Sequence, residues 1–227
     1  MPTITIVRWL VREYMGTALV GVFLFLAAGR IDWIMGWVLV GITFAWVSAT
    51  AIILIPHSPD LLAERLGRLK GAKSWDVIIM SIVAAGTIGR LIVAGLDFRF
   101  GWSERIDLLF QVIAAVVAAV GYFLVTWATA VNAFFSQGVR IQKERGHHVV
   151  TGGPYRFVRH PGYVGTILFE VSVSIMLGSF WALAIGGLNA LLFIIRTALE
   201  DRTLHTELDG YPDYAQQVSH RLLPGVW

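Results

Sequence analysis

The sequence predicts an all-α, polytopic integral membrane protein of about six transmembrane helices, five at the fewest, with the last two folded as a helical hairpin. Three observations carry that expectation. Hydrophobic residues make up 56% of the 227 and charged residues 15%, well to the apolar side of a soluble domain. The charges cluster, which leaves uncharged windows from Tyr14 to Gly29, Trp33 to Pro56 and Leu108 to Val139. These continuous runs lack strand-like alternation. In lipid, where an open backbone finds no partner, a run of about 20 apolar residues must be a helix.

The first two spans are expected at 12–30 and 33–56, parted by the polar break Arg30-Ile31-Asp32. The third, 76–96, contains Arg90, read as an ion-pair or interfacial residue near Asp97, and the fourth covers 106–136. From His160 to Ile195 the only carboxylate or arginine is Glu170, and the run is too long for one crossing. A break at Gly178-Ser179 divides it into 163–178 and 180–197; a re-entrant pair there would reduce the count to five. Glu170, inside an apolar segment, is expected to face the site or a polar partner such as Asn189 on the returning helix.

Charge sets the orientation. The N-terminus, the loops near 57–75 and 137–162 and the C-terminal tail share one side. That side holds Arg8, Arg12, Arg65, Arg68, Lys70, Lys73, Arg140, Lys143, Arg145, Arg156, Arg159, Arg196, Arg202 and Arg221, against Arg30, Arg99 and Arg105 on the other. The positive-inside rule then predicts an integral protein of the cytoplasmic (inner) membrane with both termini cytoplasmic. The net charge of +3 follows from this asymmetry and does not point to nucleic acid. The first span shows no small-residue cleavage signal and reads as retained. The chain has no cysteine, which excludes disulfides, a thiol nucleophile and thiolate metal ligands. His147 and His148 lack a partner at zinc-ligand spacing, so no metal is expected. No repeat or Pro/Ser-rich linker appears. Residues 1–105 read as a chemically bland membrane scaffold and 106–227 as the core that carries the chemistry.

That chemistry is sought first in Gly153-Pro154-Tyr155-Arg156-Phe157-Val158-Arg159-His160-Pro161-Gly162-Tyr163-Val164-Gly165. Two arginines, a histidine and two tyrosines at a membrane boundary are expensive unless paired or wet, and are functional candidates by default. Lysines would serve a merely snorkelling loop, which would leave the prolines and tyrosines unexplained. Pro161 biases His160 away from helix and suits the start of the next span, whose N-terminus favours an anion. Upstream stand Asn132, at a helix end, and His147-His148-Val149-Val150-Thr151. Downstream, Arg196 and Glu200 are four apart on one helical face, followed by Asp201, Leu204, Tyr211 and Tyr214. These clusters meet one membrane face. No two glycines are spaced G-x-G, so the nucleotide-binding turn of soluble α/β enzymes is missing.

Three strings in this order resemble the isoprenylcysteine carboxyl methyltransferase family, within a wider group that includes phospholipid N-methyltransferases. They are His147-x-Val149-Val150-Thr151-x-Gly153-x-Tyr155, Arg159-His160-Pro161-x-Tyr163-x-Gly165, and Arg196-x-x-x-Glu200-Asp201-x-x-Leu204 with Tyr211 and Tyr214. The resemblance covers about 132–224. It implies S-adenosyl-L-methionine as methyl donor and a lipophilic small molecule or lipid as acceptor. It carries donor binding onto His147, Val149, Val150, Gly153, Tyr155, Arg159, His160, Pro161, Tyr163, Gly165, Tyr211 and Tyr214, and the reacting centre onto Arg196 and Glu200. Asp201 stands where the family commonly has a second glutamate. Asn132 and Glu170 are candidates for acceptor contact.

A carboxylate acceptor needs only orientation and charge neutralisation, for which Arg196 suffices, and this O-methylation is the favoured reading. An amine must lose a proton, which Glu200 or His160 would take. A phospholipid or amine N-methyltransferase is therefore the alternative. A transporter subunit, with Arg90, Glu170 and Arg196 lining a polar path, is the non-enzymatic one.

Overall fold

The computed structural model describes residues 3–67 and 71–227. Arg68 and Lys70, counted above among the basic residues of one side, lie outside the described residues. The elements are α1 (Thr3–Ala28), α2 (Ile34–His57), α3 (Pro59–Leu66), α4 (Ser74–Phe100), α5 (Leu108–Val131), α6 (Pro161–Met176), α7 (Phe180–Glu207) and α8 (Tyr211–Gln217), with single 3-10 turns at Lys143–Arg145 and Gly153–Arg156. Among the described residues five helices are long and apolar enough to cross a membrane; α6, with 16 residues, is a shorter apolar helix. The expected six-helix layout and the closing hairpin are both present.

Burial is inverted relative to a soluble protein. Large apolar side chains such as Leu26, Ile34, Ile52 and Phe123 face outward, while Asp76, Arg90, Asp97, Glu170, Asn189 and Arg196 are buried. Arg90 does not pair with Asp97, as its position had suggested. Its Nη1 lies 2.9 Å from Glu170 Oε2 and donates to the Glu170 carbonyl at 2.7 Å. Asn189 Nδ2 donates to the same Oε2 at 2.9 Å, as expected, and α4, α6 and α7 are tied together among their apolar neighbours. Asp97 instead accepts from the Ser103 amide and hydroxyl and from the Ser179 hydroxyl, fixing the turn between α6 and α7. Arg90 is seven residues from Asp97, which puts two turns of helix between them, whereas Glu170 faces it directly.

Helix limits depart from expectation for local reasons. The fourth span ends at Val131 rather than 136 because Asn132 turns to extended backbone and its Oδ1 accepts the Phe134 amide at 2.9 Å. The last helix runs ten residues beyond 197, to Glu207, and carries Glu200 and Asp201 out of the apolar layer. The short α3 was not expected. Pro59 opens it at a position that needs no amide donor, and Leu61 and Leu62 bury against Trp9, Ala51 and Leu54.

Helix crossings are tight where glycine permits. A Cβ on Gly165 of α6 would stand 2.3 Å from the Gly121 carbonyl oxygen of α5. Likewise a Cβ on Gly95 of α4 would meet the Leu24 carbonyl oxygen of α1 at 2.6 Å. The apolar core, with Leu24, Leu39, Leu91, Phe169, Val173 and Met176, lies toward the end where α1 and α4 cross at Gly95. The opposite end, where α6 begins and α7 ends, is left open.

Candidate active site

At the open end a cavity of about 680 Å³ descends between the helices. Its upper wall is the chain between α5 and α6. The Gly152-Gly153-Pro154 turn is seated on the end of α5, and Gly153 adopts φ 57°. A Cβ there would stand 2.7 Å from Val131 Cγ2, so the position requires glycine twice over. The turn delivers Tyr155 into the wall, where its hydroxyl accepts from Asn132 Nδ2 at 3.1 Å and its carbonyl accepts from the Tyr214 hydroxyl at 2.7 Å. Burial raises both phenols, Tyr214 to about 12 and Tyr155 further.

His147 is half-buried, stacks on Phe134 at 4.5 Å and accepts the Gln142 amide at Nδ1. Burial, then the neighbouring His148, Arg145 and Arg140, lower it to about 4, so the ring is neutral at physiological pH. Val149 packs with Leu208, Tyr211 and Tyr214, which closes the loop against the tail.

Asp201 is the hub of the next layer. Arg159 donates to it at 2.8 and 3.1 Å, Arg221 at 2.8 Å and the Tyr211 hydroxyl at 2.8 Å, and His160 Nε2 lies 3.2 Å away. The tail also pairs through its backbone, since the Arg159 and His160 amides donate to the His220 and Arg221 carbonyls. Asp201 thus fixes the loop, α7 and the tail to one another. Donors from Arg159, Arg221 and Tyr211 converge on this single carboxylate, with the His160 ring beside them.

Below this layer, the Tyr163 hydroxyl donates to Glu200 in a short hydrogen bond, and the Arg196 guanidinium lies 5.1 Å over the Tyr163 ring. Arg196 and Glu200 share a helical face but make no ion pair. Arg196 is held instead by Asp76 of α4, at 2.6 Å from Nε to Oδ1, and by the Gln137 carbonyl at 2.8 Å. Asp76 also accepts the Val139 amide, at 2.8 Å. Glu200 meets no cation among the described residues.

Of the residues singled out in the sequence, His147, Val149, Val150, Tyr155, Arg159, His160, Tyr163, Tyr211, Tyr214, Arg196, Glu200, Asn132 and Glu170 all line this one cavity. Gly153, Pro161 and Gly165 do not. Gly153 makes the turn, Pro161 starts α6, and Gly165 packs on α5. The sequence reading missed the contribution of the N-terminal half. Arg65, Trp46 and Gly16 line the cavity, and Asp76 holds Arg196. A carboxylate one turn inside an apolar run was the available signal for Asp76. Among the described residues no group of three or more His, Asp or Glu side chains is arranged to hold a metal.

Arg65 is 7% exposed. Its Nε and Nη2 donate to the Phe135 carbonyl and Nη2 to the Thr129 hydroxyl, all at 3.1–3.2 Å. Burial, partly offset by Glu13, lowers the guanidinium to about 10, which leaves it charged.

Fold and site together define a polytopic helical membrane protein with a polar cavity at one end of its helix bundle. Residues 112–206 match the isoprenylcysteine carboxyl methyltransferase family. A probable protein-S-isoprenylcysteine O-methyltransferase of Oryza sativa subsp. indica is 26% identical over 140 residues, 59% of this chain and 70% of the rice protein; a japonica rice protein of the same description matches equally. Protein-S-isoprenylcysteine O-methyltransferase B of Arabidopsis thaliana is 31% identical over 86 residues, 37% of this chain and 44% of its own length. Over residues 112–206 the chain is thus similar to the isoprenylcysteine carboxyl methyltransferase family, and the likeness supports a methyltransferase.

Proposed function

We propose that the protein transfers a methyl group from S-adenosylmethionine to a lipophilic carboxylic acid at the cytoplasmic membrane face. S-isoprenylcysteine is the acceptor class that the relatives' names indicate. The observation that carries this reading is the path of the cavity. It joins the 147–163 motif, the tail tyrosines and Glu200 to the exposed positions Gly16 of α1 and Ser81 and Ala84 of α4. A soluble donor has access from the loop end, and a membrane-dissolved acceptor from the side of the bundle where Gly16, Ser81 and Ala84 line the cavity.

The residues fit the donor. Glu200 has no cationic partner and is free to face a sulfonium or ribose hydroxyls, while Tyr155, Phe134, Val149 and Leu208 offer apolar and aromatic surface for a purine. When bound, S-adenosylmethionine supplies an electrophilic methyl group. The chain's own work is alignment and exclusion of water. Tyr163 fixes the Glu200 carboxylate, and Asp201 fixes His160, Arg159 and Tyr211. An acceptor that is already a carboxylate needs no base.

The unpaired Glu200 also favours a second reading, N-methylation of an amine, in which Glu200 takes the proton the amine loses. The deciding experiment gives purified protein methyl-labelled S-adenosylmethionine with either N-acetyl-S-farnesylcysteine or a membrane lipid extract. Alkali-labile label in the product supports the ester, and alkali-stable label the amine. Absence of transfer to both, with no S-adenosylhomocysteine binding, sinks the two readings together.

A further inference from the structure

Every other arginine lining the cavity has a carboxylate partner. Arg12 is bound to Glu13, Arg140 to Glu64 at 2.8 Å, Arg159 to Asp201 at 2.8 Å and Arg196 to Asp76 at 2.6 Å. Arg65 has none within 4 Å among the described residues, although it is more than nine-tenths buried. Its partners are two neutral oxygens, the Phe135 carbonyl and the Thr129 hydroxyl, and these take only Nε and Nη2. Nη1 takes no partner among the described residues. Its own helix is clamped from α1, where Arg12 Nη1 donates to the Arg65 carbonyl at 2.7 Å. Phe135 lies beneath the guanidinium at 5.5 Å. The group is therefore held in place, buried and charged, with no carboxylate in contact and only the more distant Glu13 to offset its field.

We infer that Arg65 is the carboxylate-binding residue of the cavity, a role that the 112–206 family match does not reach and that Arg196, whose charge is already paired with Asp76, leaves open. A buried guanidinium without a counter-charge is costly, and a ligand that brings the charge recovers that cost on binding. A single free guanidinium edge suits one planar monoanion better than a phosphate dianion. Two carboxylates meet this description, the amino-acid end of the methyl donor and the acceptor's own carboxylate. The inference rests on the methyltransferase reading above for the identity of these ligands.

The test uses Arg65→Gln and Arg65→Lys in the full-length protein and reads equilibrium binding, not turnover. Each carboxylate probe is paired with a counterpart that lacks the charge: S-adenosylhomocysteine with methylthioadenosine, and N-acetyl-S-farnesylcysteine with its methyl ester. Arg65→Gln is expected to weaken one carboxylate probe about tenfold or more, as loss of a charge-assisted pair implies, and to leave its uncharged counterpart unchanged. A selective loss for S-adenosylhomocysteine assigns Arg65 to the donor, and one for the farnesylcysteine acid assigns it to the acceptor. Equal loss for charged and uncharged ligands, no loss at all, or a parent protein that does not distinguish the members of either pair overturns the inference. Should Arg65→Gln fail to fold, Arg65→Lys, which keeps a point charge but not the fork, is read by the same criteria. A parent protein that binds these ligands but methylates nothing would sink the proposed activity and leave Arg65 as a carboxylate site.

Discussion

Arg196 of α7 is held by Asp76 of α4, 2.6 Å from Nε to Oδ1, and not by Glu200 one turn along its own helix. The pair crosses between the half of the chain that matches the family and the half that does not. It also reaches the loop, because Asp76 accepts the Val139 amide and Arg196 donates to the Gln137 carbonyl. Removing one partner leaves an uncompensated charge in a buried site. Asp76→Asn is expected to cost about 3–5 kcal/mol of stability by that logic, and to loosen the 137–139 segment. Thermal unfolding in detergent and hydrogen exchange of that segment check both effects. Unchanged unfolding would mean the pair is solvated and dispensable.

Glu200 is in the opposite position, with one neutral partner and no cation. A carboxylate kept free beside the reacting region is most useful where charge changes during transfer. Glu200→Gln should therefore lower the rate of labelled-methyl transfer far more than the affinity for S-adenosylhomocysteine. Tyr163→Phe, which frees the carboxylate from its hydroxyl anchor, should move the rate in the same direction by a smaller factor. Parental rates in both variants would remove Glu200 from the reacting centre.

His147 gives the loop an acid limit. The folded site holds the ring at about 4 against 6.5 ordinarily, so folding favours the neutral form. The loop's stability from this residue is then complete above about pH 6.5 and is lost progressively as pH falls from there toward 4. Protonation also removes the Nδ1 acceptor that receives the Gln142 amide. Limited proteolysis of residues 140–150 should speed up as pH falls through this window. The increment should be smaller in His147→Phe, which retains the ring on Phe134 but has nothing to protonate. Equal acid sensitivity in both would place the switch elsewhere.

Much of this architecture was legible because membranes make sequence explicit. The uncharged windows gave the helices, and the break at Gly178-Ser179 gave the hairpin. Tyr155, His160, Tyr163, Glu200 and Tyr211 drew attention because each is a polar group at an apolar boundary, and the cavity gathers all five. What stayed hidden was pairing. Spacing along one helix suggested Arg196 with Glu200 and Arg90 with Asp97, yet both arginines reach across to another helix, to Asp76 and Glu170. Local spacing reports which residues share a face, not which helix that face meets. Arg65 was hidden for a similar reason. Among many basic residues on the same side it looked like an ordinary anchor, and only the reach of its side chain from α3 to Thr129 of α5 and the Phe135 carbonyl shows it buried.

Gly165 tests whether a motif residue binds the donor or builds the frame. It belongs to the string that the resemblance links to donor binding, yet it does not line the cavity. Its Cα faces α5, where an added Cβ would fall 2.3 Å from the Gly121 carbonyl oxygen and 3.0 Å from Val125 Cγ2. The first of these neighbours is backbone and cannot swing aside, so the helices must separate. Gly165→Val is expected to destabilise the protein by about 1–3 kcal/mol, in the range of overpacked cores. Gly165→Ala should produce a smaller shift of the same sign. The fraction that remains folded should bind S-adenosylhomocysteine like the parent, because the contacts of Tyr163 and His160 lie on other faces of α6 and its cap. Calorimetric binding, normalised to the folded fraction in a thermal melt, separates the two roles. Parental stability with a weakened product affinity would return Gly165 to the donor site and argue against the close crossing of α5 and α6.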